Sequence, residues 1–125
     1  MDDTARQRVE AEIREAFEGY ETALQTNDVA ALSAYFWEDP RAVRIGPDGG
    51  LYGHAQIAAF RKARDVSDIA RELFETHITA LSEDCGVATT EYHRLKSGRR
   101  GAQTQTWIRT ADGWRIAMAH VSLQG

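Results

Sequence analysis

Two side chains in this sequence put a chemically capable group where an apolar one would be expected. Tyr20 falls in register with Val9, Ile13, Phe17 and Leu24 at steps of three and four, so the helix face that must enter the core carries a phenol. Arg44 stands between Val43 and Ile45 in a short strand-like run, and strand alternation turns it away from both neighbours. A core tyrosine commonly gives its hydroxyl to a backbone carbonyl, and a strand arginine is commonly solvated. If Val43 and Ile45 meet a helix or a partner chain, however, Arg44 enters the interior. There its guanidinium stays charged and needs an anion of forked geometry, which a substrate carboxylate supplies. A cation beside a phenol also eases proton transfer, so the two residues read as one anchor and one acid/base.

The other polar candidates are weaker. Arg61 and Arg64 share a helix with Lys62, and such a basic helix end reads first as a solvated face, although Arg64 can bind a second carboxylate. Gln103, Gln105 and Trp107 alternate on one face of a strand, and His120 and Ser122 alternate on another with Ile116 and Met118. Gln105, Trp107, His120 and Tyr52 join Arg64 as expected substrate-binding residues. His120 is either a general acid or a hydrogen-bonded core histidine. Glu91 is a catalytic carboxylate, an arginine partner or, foremost, a solvated residue.

No metal or phosphate motif is present. His54, His77, His93 and His120 have no close ligand pairing, Gly49 and Gly50 lack the ending of a phosphate loop, and no Gly-x-Ser-x-Gly elbow occurs. Cys85 reads as a buried structural thiol. A metal site is not expected.

Several elements must position these residues. Thr4 and Gln7 match a capping box that opens a long amphipathic helix, and Asp28 can cap a second, shorter one holding Leu32, Tyr35 and Phe36. Pro40 ends it. Residues 42–46 read as a strand, the run from Pro47 to Gly50 as a turn, and Leu51 and Tyr52 as the returning arm of a hairpin. Gly53 leads into a third helix with Ile57, Phe60, Arg61 and Arg64. From Ile69 onward the period changes to two, giving strands near 70–81, 85–95, 102–109 and 114–123, an antiparallel meander. This is the α+β class, and a sheet curved around helices forms a cone whose open end is a pocket.

The 125 residues suit one domain, 1–125, with 42% hydrophobic and 27% charged residues, an ordinary globular balance. A net charge of −4 argues against nucleic acid or an anionic membrane as partner. One cysteine makes no internal disulfide, no apolar run approaches the roughly 20 residues needed to span a bilayer, and the start lacks the pattern of a secretion signal. The cytoplasm is the expected compartment.

The string FWEDPRAVRIGPDGGLYGHAQIAAFRKAR, with EGYETAL before it and QTQTWIRTADGWRIAMAHVSLQG at the end, resembles the AtzH-like (HpxZ-like) family of oxalurate and cyanuric acid catabolism, within the nuclear-transport-factor-2-like, or SnoaL-like, superfamily. The resemblance implies a cone-shaped, cystatin-like α+β barrel, a homodimer packed through the sheet, no cofactor and a functional link to an amidase. It also implies hydrolysis of a carboxylated urea such as 1,3-dicarboxyurea, with Tyr20 and Arg44 as the active pair. Where the family often has GxxENLYG, this chain reads GPDGGLYG, without one acidic and one amide side chain. Two other readings stand beside the hydrolase: a non-catalytic carboxylate-binding or amidase-accessory module, and a ketosteroid-isomerase-like or polyketide-cyclase-like enzyme, for which Glu91 is the best available base.

Overall fold

The computed structural model describes residues 1–125. Its first helix, α1 (Asp3–Gln25), buries Val9, Ile13, Phe17, Tyr20 and Leu24, the stripe spaced for that purpose, and buries Glu21 as well. Asp2, not Thr4, caps it: its carboxylate accepts the Ala5 N–H at 2.7 Å. A charged acceptor two residues earlier satisfies the free amides and complements the positive end of the helix, so Thr4 is left inside the first turn. In α2 (Val29–Tyr35) Asp28 does cap, accepting the Ala31 N–H at 3.1 Å. Phe36 lies just past that helix and bridges to Ile116.

β1 (Val43–Gly46) and β2 (Gly49–Tyr52) form the expected hairpin, and α3 (His54–Ala63) follows Gly53. Gly53 has φ +90°, a conformation that glycine adopts without the steric cost borne by other residues. The meander consists of β3 (Arg71–Ser82), β4 (Cys85–Arg94), β5 (Arg100–Thr110) and β6 (Gly113–Leu123). Its strands pair antiparallel in chain order.

The sheet differs from the expected barrel in two respects. Its order is β2-β1-β6-β5-β4-β3, so it ends in two free edges and remains open. β1 also runs parallel to β6, with Arg44 opposite Ala119, which makes the sheet mixed. Register irregularities between Phe74 and His77 and between Thr106 and Trp107 help bend it. The concave face packs Ala88, Trp107, Ile116 and Ala119 against α1 and α2 in one core. The fold is α+β: three helices cradled by a curved, unclosed six-stranded sheet.

Candidate functional site

Above this core the helices and the sheet leave a cavity of about 290 Å³. α1 supplies Tyr20, β1 supplies Arg44, and α3 with its C-terminal cap supplies Phe60, Arg61 and Arg64. Arg44 is only 7% exposed, whereas Ile45 is 39% exposed, so strand alternation sends the arginine inward. Gly46 makes room for it: a Cβ there would lie 2.7 Å from Arg44 Nη1. The guanidinium stacks on Phe60 with its central carbon 4.6 Å from the ring centroid, and Arg64 approaches the same ring at 5.2 Å. Such stacking gives a cation partial shelter without neutralising it.

Arg61 contradicts the solvated-face reading. It is 2% exposed and donates a hydrogen bond from Nη2 to Tyr20 Oη. The discriminating signal was the spacing from Ile57, since residues four apart share a helix face and both are buried. Arginine can only donate, so the Tyr20 oxygen accepts here and the hydroxyl proton must point elsewhere. Tyr20 is held edge-on by Tyr35 and Phe36, with ring centroids 6.1 and 6.2 Å away.

Arg44, Arg61 and Arg64 have no carboxylate within 4.0 Å. Burial first, and then the neighbouring Arg61 charge, push the pKa of both Arg44 and Arg64 down to about 10. At neutral pH both remain cations and repel each other, a tension that a bound anion would relieve. Asp48, on the exposed hairpin turn, is the only acidic residue lining the cavity.

The wall formed by β3, β4 and β5 brings Arg71, Tyr92, Arg94 and Gln103 to the same cavity. Sequence reasoning gave no role to Arg71 or Gln103. Strand alternation was the available signal: Gln103 shares the inward face with Gln105 and Trp107 and lies two pleats before Trp107.

Tyr20, Arg44 and Arg64 therefore come together, while the other four expected binding residues lie outside the cavity. Tyr52 is 61% exposed on the edge strand. Gln105 and Trp107 face inward but are sealed in the core, the indole N–H donating to Gln105 Oε1 at 3.1 Å. His120 is exposed on the outer face. The cause is the irregularity opposite Trp107, where Trp107 pairs with Ile116 and Thr106 with Met118. Ala117 is the extra residue, so Met118, His120 and Ser122 turn outward while Ile116 stays inside. Glu91 is exposed, and Cys85 is half-buried rather than sealed.

The AtzH-like family model matches residues 2–125. The chain belongs to the AtzH-like family. A crystal structure of a protein of unknown function from Pectobacterium atrosepticum is 46% identical, covering 94% of this chain and 92% of that one, with a TM-score of 0.90. A cystatin-like fold protein from Burkholderia xenovorans is 37% identical over 93% and 92% of the two chains, TM-score 0.87. A nuclear transport factor 2-like superfamily protein from Salmonella enterica is 25% identical over 95% and 93%, TM-score 0.76. No curated protein matches. The AtzH-like chain thus has the nuclear-transport-factor-2-like, cystatin-like fold, and none of its helices is long and apolar enough to cross a membrane.

Proposed function

We propose that the protein is a cofactor-independent, amidase-type hydrolase of a small carboxylated urea, such as 1,3-dicarboxyurea. The observation that carries this reading is a cluster of three arginines without carboxylate partners around one phenol in a single cavity. Unpaired buried cations are costly, and a small dianion is the complement that would balance them. Arg44 would grip one terminal carboxylate in bidentate fashion, with Arg64 balancing charge at the other end.

Tyr20 would then pass its proton to the leaving nitrogen. The C–N electron pair goes to that nitrogen, the carboxyl carbon departs as carbon dioxide or, with water added, as bicarbonate, and the smaller urea derivative remains. The Arg61 N–H is placed to stabilise the phenolate until water returns the proton. Tyr20→Phe and Arg44→Met, checked for folding by circular dichroism, should each lower turnover by at least about a hundredfold. Undiminished turnover in both would remove the pair from the mechanism.

A binding module is the second reading. It is favoured by the cavity lining, which holds no histidine and no carboxylate but Asp48 on the exposed turn to activate water, Glu21 being engaged by Arg71. Tight dicarboxylate binding by calorimetry with no product from any ureido substrate would select it.

A further inference from the structure

Gln103 lines the cavity, is 4% exposed, and has a buried amide nitrogen with no acceptor in the chain. Its orientation is set from behind. Arg71 Nη2 lies 2.9 Å from the amide oxygen, and because arginine has no acceptor, that oxygen must face it and the NH₂ group must point away. Arg71 is in turn fixed by Glu21, which accepts from both Nε, at 3.2 Å, and Nη2. The aromatic ring of Tyr92 lies beneath the Arg71 guanidinium at 4.6 Å, and Tyr92 is anchored through its hydroxyl to the Ser122 carbonyl at 2.8 Å. The Glu21 carboxylate offsets the charge of Arg71. Besides the part of its charge that Glu21 leaves uncompensated, Arg71 therefore gives the cavity direction. A buried donor left unmade costs more than a typical hydrogen bond gains, so an amide held this firmly without a partner is readily explained if a ligand supplies the acceptor.

We infer that Gln103 is a specificity-determining residue whose amide N–H donates to a carbonyl oxygen of the ligand, with Arg71 and Glu21 as positioning residues. This rests on the reading of the cavity as a dicarboxylate site and assigns a residue to the carbonyl that a dicarboxylated urea carries between its charged ends. The wall then recognises the uncharged middle of the ligand, while the unpaired arginines recognise its ends.

Two probes separate the parts: glutarate, and 3-oxoglutarate, which has the same carboxylate spacing but carries a central carbonyl. By calorimetry the wild-type chain should bind 3-oxoglutarate about tenfold more tightly than glutarate. In Gln103→Leu, and in the more flexible Gln103→Met, the ratio should fall to about one while glutarate affinity stays within about twofold. Glu21→Gln should shrink the ratio in part, a change that general loosening of the fold would not produce. A wild-type preference that survives both Gln103 substitutions, or a wild-type chain that binds the probes equally, overturns the inference and leaves the dicarboxylate reading standing. Binding of neither probe overturns that reading, and this one with it.

Discussion

Arg44 is a buried guanidinium whose nearest neighbours include two more cations and an aromatic face, an arrangement that no folding requirement asks for. Its pH behaviour follows from that. In the folded chain Arg44 and Arg64 sit near 10, below the unfolded value, so between those limits the unfolded chain holds more protons. The stability cost of burying the two cations is therefore present in full below about pH 10 and relieved as pH rises above it. Anion binding has the opposite linkage, because a carboxylate favours the charged form and binding must take up protons once the free arginines begin to lose them. Malonate affinity measured by calorimetry should be flat from about pH 7 to 9 and about tenfold weaker by pH 11 for each arginine engaged. Arg44→Met should lower the plateau and flatten the decline. An affinity that holds steady through pH 11 would mean that no arginine engaged by the ligand loses its proton in that range.

The elements that carry these residues explain both what could be read beforehand and what could not. Helix α1 was legible because its apolar positions repeat at the helical period, and that repeat put Tyr20 on the buried face. Alternation along β1 left Arg44 facing inward or outward, and only packing chose. Arg61 was hidden by its company, since three basic residues within four positions resemble a wet helix end and only the step from Ile57 argued otherwise. The parallel pairing of β1 with β6 joins residues more than seventy positions apart, a separation at which local pattern is silent. The extra residue at Ala117 was equally invisible, and it moved His120 to the outer face. One element-level detail is directly testable. Because a Cβ at Gly46 would crowd the Arg44 guanidinium, Gly46→Ala should preserve the circular dichroism spectrum yet weaken malonate binding by about tenfold. Unchanged affinity would show that the guanidinium has room to shift and keep its ligand.

Across the whole molecule the charges are sorted. The chain carries a net −4, yet six of its 15 lysines and arginines line one cavity with a single acidic residue, so the cavity is positive while the rest of the molecule carries an excess of negative charge. A small anion is attracted to that hollow, while a polyanion meets a surface of its own sign. The same inside-outside division applies to the sheet. Its concave face is spent on the core and the cavity, and its outer face leaves Met118 54% exposed opposite Val43, with Ile45 opposite His120 and with Thr104 and Thr106 on the neighbouring strand. An antiparallel sheet can present one face to water, but apolar side chains at its centre favour a covering. We propose that a second copy of the chain provides it, sheet face to sheet face, which would also keep Val43 and Ile45 turned away from the cavity and Arg44 turned into it. Sedimentation equilibrium should then give the mass of two chains, and Met118→Glu, which places a charge in that contact, should weaken the pair by at least about tenfold. Because Met118 points away from the cavity, malonate binding by the variant serves as the control for an intact fold. A wild-type monomer, or a Met118→Glu dimer as tight as wild type, would place the contact elsewhere and leave the outer face as solvent-exposed sheet.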